Sequence, residues 1–141
     1  MTGAIPADLV ARLVKQVGPR CGYCRTSAKI TGQPLTVEHL LPLSRGGDSE
    51  ESNLWLSCRR CNEYKGAQIE ARDPETGTIS PLFDPRRQRW QEHFAWSGDG
   101  AHILGRTPCG RATVAALNLN NDDILAARRL WAGVGWHPPL E

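Results

Sequence analysis

The amino-acid sequence predicts an α+β fold with a β-β-α unit, a helix before it, and a mixed hairpin and helix extension after it. Apolar residues recur at helical spacing in residues 5–17 and 121–134. Between these segments, short runs of β-branched and aromatic residues alternate with glycine, proline, asparagine and aspartate, which is typical of short strands and turns. At 141 residues the chain fits a core at residues 1–70, with an extension at residues 71–141 packed on that core.

The first predicted helix spans residues 5–17. Its apolar side chains fall on one stripe, at Ile5, Leu9, Val10, Leu13, Val14 and Val17. Pro6 suits the first turn of a helix, and Gly18 followed by Pro19 ends it. We therefore expect this helix to pack on the core and to lead the chain to Cys21.

The other elements of the core follow from local signals. Gly22 permits the tight turn of a knuckle, Pro42 ends a strand, and nothing interrupts a helix that starts at Arg59 before Gly66. The predicted order is a knuckle at 21–24, a loop at 25–34, a strand at 35–40, a turn at 44–48, a second ordered stretch at 52–58, and a helix from 59 to about 69.

The extension carries turn sequences between short apolar runs, which predict hairpins. Asp84 followed by Pro85 provides an N-cap and a first-turn proline for a helix. The predicted elements are hairpins around residues 73–77 and 98–100, a helix from 85 to about 94, helices at 108–117 and 121–134, and an irregular tail at 135–141.

Composition restricts the class of protein. The hydrophobic fraction of 40% predicts a modest core that a bound metal would support. The sequence contains no apolar run long enough to cross a bilayer, and its first residues lack the features of a signal peptide. We therefore expect a cytoplasmic protein with no membrane partner. The formal net charge of +2 does not by itself indicate a polyanionic partner.

Four of the five cysteines form two Cys-x-x-Cys pairs, Cys21 with Cys24 and Cys58 with Cys61. In a reducing compartment this pattern indicates a metal site rather than disulfides, and four thiolates suit a tetrahedral zinc. A redox motif is the alternative for one such pair, but redox chemistry uses a single pair. A closed zinc site of this kind has no open position for water, so the predicted role of this zinc is structural.

Glu38, His39, Asn53 and Asn62 lie between or directly beside the cysteine pairs. Hydrolysis of a phosphodiester requires an activated water, neutralised phosphate charge and a stabilised leaving oxygen. A neutral imidazole such as that of His39 can take a proton from water, and the oxygens of Glu38 and Asn62 suit a hard divalent cation. Asn53 can orient the imidazole by a hydrogen bond.

A simpler interpretation of these residues stays open. Neighbouring residues on a strand point to opposite faces, so Glu38 and His39 serve one site only if the strand bends. An isolated Glu-His dipeptide is most often a solvated carboxylate beside a surface or half-buried histidine.

Residues 21–66 resemble the HNH endonuclease family, whose ββα-metal core is also called the His-Me finger. The resemblance rests on many positions in register rather than on one motif. The matching positions are Glu38-His39, Pro42, Gly46-Gly47, Asn53-Leu54, Cys58 and Cys61, Asn62, and Lys65-Gly66. The later part of the chain is also similar to the segments that follow this motif in many short bacterial members.

The resemblance implies a DNA endonuclease that hydrolyses phosphodiester bonds by a one-metal mechanism. It implies His39 as the general base, Asn53 as the residue that orients it, and Glu38 and Asn62 as ligands of one catalytic cation. The four cysteines correspond to the structural zinc of a subset of the family. The family more often has aspartate at the position of Glu38, and some members have histidine at that of Asn62. An amide oxygen favours Mg²⁺ or Mn²⁺ as the catalytic cation.

Basic residues beside the β-β-α unit are the expected contacts to DNA phosphates, which position a nucleic acid without specifying its sequence. They are Arg59, Arg60 and Lys65 on the predicted helix and Arg45 in the turn after the strand. A solvated face is the alternative for each basic cluster. DNA is the expected partner, RNA stays an alternative substrate, and the oligomeric state is left open.

Two other functions compete with the endonuclease. One is a zinc-stabilised module that binds nucleic acid without cutting it, and the other is a zinc domain that binds only proteins. Cleavage that depends on a divalent cation distinguishes the endonuclease from both. Salt-sensitive binding to nucleic acid distinguishes the binding module from the interaction domain.

Overall fold

The structure is a computed structural model that describes residues 5–140 as short helices and three two-stranded antiparallel sheets. The mixture of helices and small sheets confirms the predicted α+β class. The chain forms two compact units: the first contains the chain up to Ile69 together with Asp84–Arg87, and the second contains Glu70–Phe83 and the chain from Gln88 onward. The packing of residues 71–141 on residues 1–70 stays a prediction. Residues 1–4 and 141, the ends of the predicted core and tail, lie outside the described residues.

Helix α1 (Ala7–Val17) supplies part of the core of the first unit. Leu9 and Leu13 are buried against two apolar residues of a later strand, Leu54 and Leu56. The predicted helix over residues 5–17 is confirmed, and the helix ends at Gly18 as expected.

The predicted loop at residues 25–34 is wrong in part, because Ala28–Thr31 form a short helix, α2. The Ser27 side chain accepts a hydrogen bond from the Lys29 backbone N–H at its start, and Gly32 ends it. One helical turn carries no apolar periodicity, so only this capping pair of residues signals it in the sequence.

Strands β1 (Thr36–His39) and β2 (Leu54–Ser57) pair antiparallel, with Glu38 opposite Trp55 and His39 opposite Leu54. The connection between them contains two short 3-10 turns, Leu43–Arg45 and Glu51–Asn53.

Helix α3 (Arg59–Lys65) follows β2 and contacts β1. It ends earlier than predicted because Gly66 adopts a φ of 51°, in the left-handed region that favours glycine, and its N–H bonds to the Asn62 carbonyl.

The segment Asp84–Arg87 does not begin the predicted helix of residues 85–94. The Asp84 carboxylate accepts hydrogen bonds from the Arg86 and Arg87 backbone N–H groups, as an N-cap would. However, the Arg86 guanidinium donates to the Leu54 carbonyl and lies over the Trp55 ring at 5.0 Å, which holds the segment in a turn. Local capping signals do not report such tertiary contacts.

The second unit contains the two predicted hairpins and the two predicted C-terminal helices. Its elements are β3 (Glu70–Arg72), β4 (Ile79–Pro81), α4 (Trp90–His93), β5 (Phe94–Trp96), β6 (Ile103–Gly105), α5 (Pro108–Ala116) and α6 (Asp122–Gly133). Buried Asp73 closes the first hairpin turn and forms two hydrogen bonds with Arg111. In the described part of the chain, no helix is both long and apolar enough to span a bilayer.

Candidate active site and metal centre

The sulfurs of Cys21, Cys24, Cys58 and Cys61 form one cluster, all within 4.8 Å of one another. A tetrahedral zinc with Zn–S bonds of about 2.3 Å places its sulfurs about 3.8 Å apart. Cys24 Sγ lies 3.7 Å from Cys58 Sγ, which fits such an edge. The cluster confirms the predicted metal site and fits a structural zinc.

Backbone contacts hold both cysteine pairs. The Tyr23 N–H points at Cys21 Sγ at 3.4 Å, and the Cys61 N–H points at Cys58 Sγ at 3.4 Å, where Cys58 caps helix α3. The Gly22 N–H donates to the Leu56 carbonyl and thereby attaches the first pair to strand β2. The first pair is therefore held against strand β2, and the second pair is held by the start of helix α3.

The protonation of the four thiols also favours a bound cation. Burial raises the pKa of the Cys21 thiol, and hydrogen bonding with Cys21 raises that of Cys61. Hydrogen bonds from Cys21 lower the pKa of the Cys24 and Cys58 thiols. A divalent cation at this centre would stabilise all four sulfurs as thiolates.

Arg60 is directed at this centre rather than outward. Its Nη2 atom lies 3.8 Å from Cys24 Sγ, which also lies 3.2 Å from Thr26 Oγ1. A zinc with four thiolates carries a net charge of −2, and a guanidinium beside it offsets part of that charge. The sequence predicts a phosphate contact for Arg60, but the structure places this side chain at the metal centre.

His39 and Asn62 line one cleft with a volume of about 320 Å³. His39 ends strand β1, and Asn62 lies in the middle of helix α3. The rest of the lining consists of Val37, Pro42, Leu43, Ser44, Gly66 and Ala67. The structure therefore brings together two of the four predicted catalytic-site residues.

The polar atoms of the two cleft residues differ in their partners. His39 Nε2 lies 3.0 Å from Ser49 Oγ in the loop between the strands. The Asn62 side-chain amide has no hydrogen-bond partner among residues 5–140. The amide oxygen is therefore available to a ligand in the cleft.

Glu38 lies on the opposite face of β1 and is 2% exposed. Its Oε1 atom accepts a hydrogen bond of 2.6 Å from the Tyr23 hydroxyl and pairs with Lys65 Nζ at 3.1 Å. Burial raises the pKa of the Glu38 carboxyl, although Lys65 and Tyr23 act in the opposite direction. The Oε2 atom is buried and has no hydrogen-bond partner among the described residues.

Asn53 braces the loop after β1 instead of contacting the imidazole. Its Oδ1 accepts from the Leu41 N–H at 2.8 Å, and its Nδ2 donates to the carbonyls of Leu41 and Asp48. The same loop passes so close to itself that a Cβ at Gly47 would lie 1.8 Å from the Leu41 carbonyl oxygen. The hydrogen bond between Asn53 and His39 that the sequence predicts is not formed here, so any orienting role of Asn53 is indirect.

The other predicted DNA contacts occupy different environments. Arg59 is exposed and pairs with Glu63, and Arg45 is exposed and donates from Nε to the Ala67 carbonyl at the edge of the cleft. The Lys65 side chain is 4% exposed and its ammonium pairs with Glu38. A phosphate outside the protein cannot contact this buried ammonium, so Lys65 is not a phosphate contact in this structure.

Sequence reasoning did not find two polar partners of the site, Ser49 and Tyr23. Ser49 lies in a turn-rich segment where serine is common, and no local signal connects it with His39. Tyr23 lies between two cysteines, where it could be noticed as a large residue in a knuckle, but its contact with Glu38 depends on the tertiary fold.

A small mixed α/β domain with four cysteines positioned for a metal ion is consistent with the zinc-containing HNH endonucleases. Residues 21–68 match the family model described as HNH endonuclease.

The Septu protein PtuB of Bacillus thuringiensis is 28% identical to the chain over 123 residues, which cover 86% of this chain and 44% of that protein. The chain thus spans less than half the length of this relative. No solved structure has significant similarity to the chain.

Proposed function

We propose that the protein is a metal-dependent DNA endonuclease that hydrolyses phosphodiester bonds, with a ββα-metal core formed by β1, β2 and α3. The observation that supports this most is the cleft of the HNH domain, which is lined by both His39 and Asn62. An imidazole and an unpartnered amide oxygen that line the same cleft suit a reaction that needs a base and a cation ligand.

In this proposal His39 is the general base of a one-metal mechanism. A neutral imidazole carries one N–H and one lone pair, and the Ser49 hydroxyl at Nε2 can accept from the N–H or donate to the lone pair. When Nε2–H donates to the Ser49 hydroxyl, Nδ1 keeps its lone pair and can accept a proton from the attacking water. Asn53 supports this geometry indirectly by holding the loop that carries Ser49.

Of the two predicted cation ligands, Asn62 fits a catalytic Mg²⁺ or Mn²⁺ in the cleft, and Glu38 as placed here does not. Asn62 offers an unpartnered amide oxygen in the cleft, whereas the Glu38 carboxylate lies on the opposite face of β1, where it is paired with Lys65 and Tyr23. Hard divalent cations prefer such oxygen donors. When bound, the cation would neutralise phosphate charge and stabilise the leaving oxygen.

The charge of the cleft supports the requirement for a cation. Among the described residues that line it there is no lysine or arginine. A phosphate in the cleft would therefore meet one imidazole and otherwise neutral groups. The four-cysteine centre does not meet this need, because four sulfur ligands leave a tetrahedral zinc no open position.

DNA is the proposed substrate, and the exposed arginines Arg45 and Arg59 are the proposed phosphate contacts. Arg45 lies next to Ala67 at the edge of the cleft, and Arg59 begins helix α3. RNA is tested as the alternative substrate in the same assays.

The test is nicking of a supercoiled plasmid by the zinc-loaded protein with Mg²⁺ or Mn²⁺. We expect nicked or linear product that a chelator abolishes. Salt-sensitive binding of the plasmid without cleavage under any divalent cation would contradict the proposal and support a binding module.

Replacement of Asn62 by alanine is expected to raise the Mg²⁺ concentration needed for half-maximal cleavage by about tenfold or more, because it removes one oxygen donor. Titration of plasmid cleavage with Mg²⁺ measures this. Glu63→Ala is the matched control, since Glu63 is the exposed neighbour of Asn62 on the same helix. Equal Mg²⁺ requirements in the two variants would contradict the ligand role.

A further inference from the structure

A buried ion pair connects the cysteine cluster with the strand that carries His39. Lys65 Nζ lies 3.1 Å from Glu38 Oε1, and the Tyr23 hydroxyl donates to the same oxygen at 2.6 Å. All three side chains are almost completely buried. Tyr23 lies between Cys21 and Cys24, so one end of this network belongs to the first cysteine pair.

The ammonium of Lys65 also holds the backbone next to the imidazole. It donates to the Leu40 carbonyl at 3.2 Å and to the His39 carbonyl at 3.5 Å. From the other side, the Leu40 N–H donates to the Asn53 carbonyl at 2.8 Å. The peptide units that follow His39 are therefore fixed by contacts from α3 and from the turn before β2.

The energetics of the pair favour a geometric role over a simple stabilising one. Removing two charges from water costs several kcal/mol per ion, and apolar packing of similar volume is often equally stable. The three N–H donors of an ammonium are matched here by one carboxylate oxygen and two carbonyl oxygens. Such an arrangement tolerates little movement between β1 and α3, which carry His39 and Asn62.

We propose that Lys65 and Tyr23 are positioning residues that transmit the geometry of the zinc-bound clamp to His39. Lys65 fixes the end of β1 through the carbonyls of His39 and Leu40, and Tyr23 fixes the shared Glu38 carboxylate. This inference rests on the proposed nuclease function and replaces the phosphate contact expected for Lys65 from its helix position.

The test compares Lys65→Met with Lys15→Met, an exposed lysine of the same unit. Lys65→Met is expected to lower the cleavage rate at saturating plasmid by about 10- to 100-fold, because small displacements of a reacting group have effects of this size. The slope of log affinity against log salt for DNA binding is expected to stay unchanged. A lost phosphate contact would instead reduce that slope by about 1.

Two further measurements separate positioning from general damage to the fold. In a His39→Ala background, Lys65→Met is expected to cause no further loss of rate, because it acts through His39. In the zinc-loaded protein without DNA, Lys65→Met is expected to shift the NMR signals of the His39 ring, whereas Lys15→Met leaves them in place.

If Lys65→Met does not fold, Tyr23→Phe is used as the test variant, because it removes one hydroxyl and keeps the packed ring. We expect about a fivefold lower saturating rate with unchanged zinc content and salt slope. A wild-type cleavage rate in Tyr23→Phe would overturn the inference. In a folded Lys65→Met protein, a reduced salt dependence of DNA affinity or an unshifted NMR signal of the His39 ring would also overturn it. An inactive wild-type protein would overturn the proposed function and this inference with it.

Discussion

Replacement of Cys21 by serine is expected to abolish zinc binding and to unfold the first unit. The side chain is fully buried in a cluster of four sulfurs, and the loss of one thiolate leaves three ligands and a buried hydroxyl. Structural zinc sites contribute roughly 10 kcal/mol to folding, which is comparable with the whole stability of a small domain. Zinc content by metal analysis and thermal unfolding by circular dichroism measure both effects.

Cys109→Ser is the matched control, because Cys109 is the one cysteine of the sequence outside the cluster. This variant is expected to keep one zinc per chain and to unfold close to the wild-type temperature. A zinc-free Cys21→Ser protein that melts like the wild type would contradict a structural role for the cluster.

Replacement of His39 by alanine is expected to lower the rate of plasmid cleavage by about 100-fold or more, the range found for loss of a general base. The imidazole is half-buried in the cleft, and the contact of its Nε2 with Ser49 fixes its position. A water molecule in the space left by alanine is therefore a poor replacement for this base. The zinc content is expected to stay at the wild-type value, since His39 does not contact the cysteines. Initial rates with supercoiled plasmid and Mg²⁺ or Mn²⁺ measure the effect.

His102→Ala is the control for this experiment, because His102 lies in the hairpin of β5 and β6 in the second unit. It is expected to cleave at the wild-type rate. Equal rates for His39→Ala and His102→Ala, with both proteins folded and zinc-loaded, would show that His39 is not the base.

The metal centre is the part of the site that the sequence predicts best. Two Cys-x-x-Cys pairs specify both the ligands and their approximate spacing, because each pair forms its own local turn. The fold has only to bring the second pair next to the first. Cys58 directly follows strand β2, so the antiparallel pairing of β1 with β2 positions the second pair.

The environment of single side chains was harder to predict, because it depends on contacts between distant segments. Lys65 and Glu38 are charged residues that ordinarily face water, yet they neutralise one another inside the domain. Ser49 carries no local signal of its contact with His39. The turn at Asp84–Arg87 is held by the contacts of Arg86 with β2 rather than by the capping pattern of its own sequence.

The most direct measurement of the central proposal is rescue of His39→Ala by added imidazole. The alanine variant leaves space in the cleft for a free imidazole, which can then accept the proton from the attacking water. We expect the cleavage rate to rise at least about tenfold with imidazole and to follow the concentration of its neutral form. A His39→Ala protein that cleaves like the wild type, with no response to imidazole, would contradict a histidine base at this position.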